Sequence, residues 1–288
     1  MLVYALAILT AAVNAAASVL QRAANRKRPA DELFHPRLIA RILREPMWFA
    51  GLAAMIGSFV LMAAALASGP IVVVEPLLML DLPFTLVIAR VFFGRRTRAG
   101  EWRAVAAITV GLAALLFLLA PAGGDAADVP GRTWLIGLGA STGFIAAFTV
   151  LGARAPVGSL ARPALLSLAA GTGFGVTTVL TKAFTTDLVD GGMAGAFTTW
   201  HVYGLLAAGA LAFFLLQVTF GSGPLIAAQP GLTGTEPVVS MIWGVVVFGE
   251  QVRGGWYPAL AVPAVALIAA GVAVLGRSFA TAAAGGRG

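Results

Sequence analysis

Long apolar runs separated by short polar or Gly-Pro stretches dominate the chain. A membrane-spanning helix needs about 20 predominantly apolar residues. Nine runs reach that length: 2–20, 47–68, 70–92, 101–120, 133–152, 163–185, 200–221, 224–248 and 256–276. Ser68-Gly69-Pro70 and Ser222-Gly223-Pro224 join two pairs of runs, since Gly ends a helix and Pro begins one without needing an N–H donor. The one sizeable polar segment, 21–46, follows the first run. Within it Leu38, Ile39, Ile42 and Leu43 fall at helical spacing, as in a helix lying on a membrane surface over 36–45. Residues 281–288, mostly Ala and Gly, read as a disordered tail. The pattern predicts an all-α, polytopic membrane bundle.

Composition narrows the function classes. Of 288 residues 59% are hydrophobic and 11% charged, against about 25% charged in a soluble domain, so a soluble enzyme is excluded. The chain has no cysteine, which removes disulfides, thiolate metal sites and cysteine nucleophiles. His35 and His201 are too far apart for a local metal motif. Gly171-Thr172-Gly173-Phe174-Gly175 follows no strand and is not a nucleotide loop, and no Walker sequence occurs. Gly139 and Gly143, four apart, read as close helix packing. With no clustered nucleophile–base set, no enzyme activity and no resident cofactor are expected.

The net charge of +7 comes from Arg in short connections, which points to membrane orientation and the lipid bilayer rather than to nucleic acid. The connections after runs one, three, five and seven, with the C-terminal tail, hold Arg22, Arg26, Lys27, Arg28, Arg37, Arg41, Arg44, Arg95, Arg96, Arg98, Arg154, Arg162, Arg277 and Arg287. The opposite side holds Arg132, Lys182 and Arg253 together with Asp125, Asp128, Asp187 and Asp190. The bias places the N-terminus outside and the C-terminus in the cytoplasm. The first run has no basic residues before it, so it reads as a retained helix and not a cleaved leader. Arginine-heavy usage fits a GC-rich bacterial genome, hence a bacterial plasma membrane.

The chain also repeats itself. Ser68, Gly69, Pro70, Pro76, Pro83, Gly100 and Trp102 recur 154 residues later as Ser222, Gly223, Pro224, Pro230, Pro237, Gly254 and Trp256. A looser match links the segment from Ser18 to Ala23 with that from Thr178 to Ala183. Runs one to four then correspond to runs six to nine, with the fifth between them. An odd number of crossings separates equivalent helices, so the halves face opposite ways. The expected organisation is a first repeat (1–132), a linking helix and loop (133–162), a second, inverted repeat (163–280) and the tail. Inverted repeats are a signature of secondary transporters, whose sites lie near the bilayer midplane. A homodimer is compatible with this arrangement.

Ala65-Leu66-Ala67-Ser68-Gly69-Pro70, then Pro76, then a run closing at Phe92-Phe93-Gly94, resembles the drug/metabolite transporter (EamA-like) superfamily, as does Phe248-Gly249-Glu250. Nine spans with a long connection after the first are similar to its NIPA-like magnesium-transporter branch. The resemblance implies a carrier, with magnesium or another divalent cation as one solute. Glu75 and Asp81 depart from the uncharged helix expected in that branch, and Gly94-Arg95 stands where the second half has Gly249-Glu250.

Charges within the runs are the candidate chemistry. A charged side chain at the bilayer centre costs at least about 2.5–3.5 kcal/mol, so such residues face the bundle interior and serve function by default. Asp81 lies 11 residues past Pro70, roughly 16 Å at 1.5 Å per residue, or about half of a 30 Å core. Glu236 lies 12 residues past Pro224 in the matching run. The two carboxylates are expected to meet at the centre as a solute, proton or Mg²⁺ site, since Mg²⁺ needs only one or two carboxylates. Glu75, its repeat counterpart Gln229, and Asn14 in the first run complete the binding candidates. Pro83 and Pro237 free the carbonyls of Met79 and Thr233, and helix breaks are expected at Pro76, Pro83, Pro230, Pro237, Gly231 and Gly234. Lys182 is expected to snorkel, His201 to sit at the interface and Glu250 to be structural.

The account at this point is a secondary carrier of a small polar or cationic solute, with magnesium transport as the alternative and a non-transporting membrane protein or embedded enzyme behind it. The orientation is directly checkable. An Arg132→Cys variant should react with an impermeant maleimide in intact cells, and Arg98→Cys only after lysis; the opposite pattern would overturn the assigned topology.

Overall fold

The computed structural model describes residues 1–26, 46–94, 98–124, 126, 127, 129–223 and 225–285. The described residues form ten helices: α1 (Leu2–Arg26), α2 (Pro46–Ser68), α3 (Ile71–Leu78), α4 (Asp81–Phe93), α5 (Ala99–Leu119), α6 (Gly131–Arg154), α7 (Ala161–Thr198), α8 (Trp200–Ser222), α9 (Leu225–Val246) and α10 (Tyr257–Gly285). Among the described residues eight segments are long and apolar enough to cross a membrane, the stretch Ile71–Phe92 joining α3 and α4 into one of them. The ninth candidate, α9, has 22 residues but is diluted by Gln229, Pro230, Thr233, Gly234, Thr235 and Glu236. Large apolar side chains such as Phe117, Leu135 and Phe214 point outward, where only lipid can cover them. The chain is a polytopic helical membrane protein.

α3 and α7 form the centre. Every residue of α3 from Ile71 to Leu77 is buried, and Val176, Val179, Leu180 and Ala183 of α7 join the same core. α1 packs along α2, and α7 along α8 and α9. α3 and α4 lean on α1, α3 faces α9, and α5 crosses α10. Small residues permit these close approaches. A Cβ on Gly171 would lie 2.8 Å from the Gly231 carbonyl oxygen, and one on Gly175 2.9 Å from that of Glu236, so a stripe of glycines brings α7 and α9 nearly backbone to backbone. The α5–α10 crossing is reciprocal. A Cβ on Gly111 would meet Ile268 Cγ1 at 2.8 Å, and one on Gly271 would meet Ile108 Cγ1 at 2.7 Å.

Several expectations are corrected. α1 runs to Arg26 and α7 to Thr198, taking in residues read as connections. The long α7 bends at Gly192, whose φ of 63° a glycine accepts readily. α10 continues to Gly285, because alanine favours helix; the remainder of the expected disordered tail lies outside the described residues, as does the surface helix expected over 36–45. Gly139 and Gly143 have open space around them and do not mediate packing. α6 instead packs through Gly137, beneath the Trp243 indole, and Gly152, against Leu166.

The helix-break expectation holds at one place of six. The chain leaves α-geometry at Met79–Leu80, one turn before Pro83, where Met79 N–H bonds the Pro76 carbonyl (3.1 Å) and Leu80 N–H that of Leu77 (3.1 Å). Those are the tighter i→i−3 bonds of a 3₁₀ turn. Pro76, Pro230, Pro237, Gly231 and Gly234 instead lie inside helices. In α9 the hydroxyls of Thr233 and Ser240 bond the carbonyls of Gln229 (2.9 Å) and Glu236 (2.8 Å). On its other face, Gly171 and Gly175 of α7 pack against the Gly231 and Glu236 carbonyls.

Overpacking a core commonly costs about 1–3 kcal/mol. Gly171→Val should therefore lower thermal stability in detergent by that amount, whereas Gly139→Ala should leave it unchanged or slightly raised. Equal effects from the two would contradict the packing described.

Candidate functional site

The break at Met79–Leu80 divides one span into two half-helices with a carboxylate on each. Glu75 sits on α3, one turn past its N-terminus, and Asp81 is the first residue of α4. Asn14 of α1 donates from Nδ2 to Asp81 Oδ2 at 3.3 Å. Glu236 of α9 faces the same space. All four residues line one cavity of about 390 Å³. Thr10 and Ser58 add hydroxyls, and Met55, Phe59, Met62 and Met79 add apolar wall.

The carboxylates differ in setting. Glu75 is 4% exposed. The hydroxyls of Thr178 and Ser240 flank it, yet its Oε1 has no hydrogen-bond partner. Asp81 is less enclosed and has the Asn14 amide beside it. Gln229 does not line the cavity; its carbonyl accepts from Thr233, and Thr233 takes the lining position instead. Among the described residues no three of His, Asp and Glu gather as they would around one metal ion. Thr10 escaped notice in the sequence because its hydroxyl, bonded to the Leu6 carbonyl at 2.8 Å, is chemically like any helical threonine; its spacing of four from Asn14 is the one available signal.

A second polar cluster lies at the end of the bundle that carries the Ser68-Gly69-Pro70 turn. Glu250 is 2% exposed. Its Oε1 accepts from the backbone N–H of Ile71 (2.6 Å) and from Lys182 Nζ (2.8 Å), and its Oε2 from the N–H of Val72 (2.9 Å). Lys182 Nζ also donates to the Gly69 carbonyl at 3.1 Å. The first N–H groups of a helix have no partner of their own and favour negative charge, so Glu250 caps α3 and Lys182 balances the cap. Lys182 is thus buried and paired rather than snorkelling. The segment after α9 is seated by a two-way backbone pairing of Ala122 with Gln251 (2.9 and 2.8 Å) and by Arg253 N–H on the Leu119 carbonyl (2.7 Å). His201 is likewise not merely interfacial. Its Nδ1 lies 2.7 Å from Asp187 Oδ2, and its ring packs between Trp134 and Trp200.

Over 233 residues the chain is 29% identical to an uncharacterized protein of Corynebacterium glutamicum, an alignment covering 78% of this chain and 77% of the relative. No family model matches the chain, and no solved structure does.

Removing one partner of a buried ion pair typically costs about 3–5 kcal/mol. Lys182→Met should therefore lower the unfolding temperature clearly, while Arg132→Ala, at an exposed helix start, should not. A Lys182→Met protein as stable as the parent would mean that the clamp contributes nothing.

Proposed function

We propose that the protein is a secondary transporter of a small polar or cationic solute, working by alternating access in a bacterial plasma membrane with its N-terminus outside and its C-terminus in the cytoplasm. The observation that carries this reading is the cavity. Three carboxylates and a carboxamide converge on a space of about 390 Å³ inside a bundle whose exterior is apolar. That volume falls at the small end of ligand pockets, about 300–1,000 Å³. Ionisable groups kept at membrane depth mark solute or ion pathways.

The two-half organisation is part of the proposal and has support in packing. α1 with α2 is matched by α7 with α8, and α1 with the broken span by α7 with α9. Ala104, Ile108 and Gly111 of α5 meet Ala264, Ile268 and Gly271 of α10 in reciprocal contact, like residues six positions beyond the 154-residue register. Reciprocal contact of like residues across a crossing supports a two-fold relation between halves. The cavity then lies near that axis, where rocking one half against the other would open it to each side in turn. The Glu250–Lys182 clamp holds the N-terminal end of α3 in the state described. A divalent-cation pathway is the second reading, since Mg²⁺ needs only one or two carboxylates and Asp81 and Glu236 line the same cavity.

Transport by the purified protein in proteoliposomes tests the reading, with a panel of labelled organic cations, neutral polar solutes and Mg²⁺. At least one solute should be taken up saturably, and Asp81→Asn and Glu236→Gln should each reduce that uptake tenfold or more. If both variants keep the parent rate the acidic site is wrong; if no solute of any class moves, so is the carrier.

A further inference from the structure

Where α3, α7 and α9 meet, a carboxylate is left incomplete by its protein neighbours. Glu75 is 4% exposed, it lines the cavity, and its Oε1 is buried without a hydrogen-bond partner. Helix register brings two hydroxyls to it. Gly171 of α7 meets Gly231 and Thr235 of α9, and Gly175 meets Glu236 and Val239. The two helices therefore run side by side in the same direction, and one turn further on Thr178 draws level with Ser240. α3 faces α9, and both hydroxyls flank the Glu75 carboxyl. Thr178 and Ser240 are themselves buried.

The hydrogens of this group do not complete it. Ser240 Oγ donates to the Glu236 carbonyl at 2.8 Å and lies 3.3 Å from that of Pro237. Its hydrogen is thus committed to its own helix, and it offers Glu75 only lone pairs. An ionised carboxylate is an acceptor alone. Two buried acceptors side by side are costly unless something positive lies between them. The protein supplies no such charge from the cavity wall, where none of the lining residues is Lys, Arg or His. Lys182, one turn past Thr178 on α7, is already paired with Glu250 at 2.8 Å.

We propose that Glu75, Thr178 and Ser240 form a binding site for a bare Na⁺ ion, held by Glu75 Oε1 and the two hydroxyl oxygens. One carboxylate balances one positive charge. A proton joins only two oxygens, whereas three from three helices converge here. Mg²⁺ keeps several of its waters, and a buried oxygen leaves them no room. Glu75 belongs to the N-terminal half of the chain, and Thr178 and Ser240 to the C-terminal half, so the ion bridges the two. Carriers place coupling ions at such junctions near mid-membrane. Granted the carrier reading of the cavity, this Na⁺ is the ion whose binding is coupled to that of the solute; its binding as such does not depend on that reading.

Sodium binding is readable on the parent protein before any solute is known. In detergent at fixed pH and ionic strength, replacing choline chloride by NaCl should raise the unfolding temperature saturably, since a ligand of the folded state stabilises it; KCl should not. Glu75→Gln should abolish the response. Ser240→Ala, which keeps the carboxylate and removes one hydroxyl, should raise the half-saturating Na⁺ concentration at least tenfold. In proteoliposomes, an inward Na⁺ gradient in place of K⁺ should speed uptake of whichever panel solute is carried at least tenfold. If NaCl, KCl and choline chloride act alike, the sodium site is wrong. It is equally wrong if acidification substitutes for Na⁺, or if both variants keep the parent response. The carrier reading survives each of these results. Sodium binding without faster uptake of a solute that does move overturns the coupling. If Na⁺ binds as described and no solute of any class moves, the metal site stands and the carrier reading falls.

Discussion

A helix of eight residues in the middle of a membrane bundle has an end problem at each terminus, and the way both ends are satisfied fixes the rest of the molecule. α3 starts immediately after Pro70 and stops at Leu78, so it cannot hide its unpaired N–H and carbonyl groups in a long ladder. No lipid can serve them. At one end the Glu250 carboxylate accepts from two of the N–H groups, and Lys182 makes that buried anion tolerable. At the other end the backbone tightens into 3₁₀ bonds and the break borders a cavity. Because Glu250 follows α9 and Lys182 belongs to α7, a single polar cluster joins both halves of the chain at one end of the bundle. Glu75 hangs one turn below it.

Function follows from this placement. The break keeps Glu75 and Asp81 on two half-helices, and glycines on α7 bring α9 close enough to present Glu236. Three helices thus bring their acids to one cavity.

Much of this was legible in the residues. Apolar runs locate the helices because lipid demands about 20 apolar residues per crossing, and charges inside those runs single out Asp81, Glu75 and Glu236, with Asn14 nearby. Pro83 signals the break. What stayed hidden depends on partners distant in sequence. Lys182 and Glu250 are 68 residues apart, so local pattern assigns Lys182 to snorkelling and reads Glu250 as structural without naming its partners. Pro237 has the same backbone chemistry as Pro83 yet lies inside an uninterrupted α9, although Met79 and Thr233, whose carbonyls the two prolines free, both line the cavity, so the proline alone does not announce a break. Gln229 inherits its candidacy from its repeat position, but the rotation of α9 presents Thr233 and Glu236 instead. The spacing of Gly139 and Gly143 matches a packing motif on a face that meets nothing.

The central claim is that the acidic cavity communicates with each side of the membrane in turn. Met62 lines it, and the native chain contains no cysteine, so Met62→Cys provides one unambiguous reporter. The rate of its reaction with an impermeant maleimide, measured in right-side-out and in inside-out vesicles, is the most direct measurement. Alternating access predicts reaction from both sides. Reaction from one side only, or from neither, would contradict it.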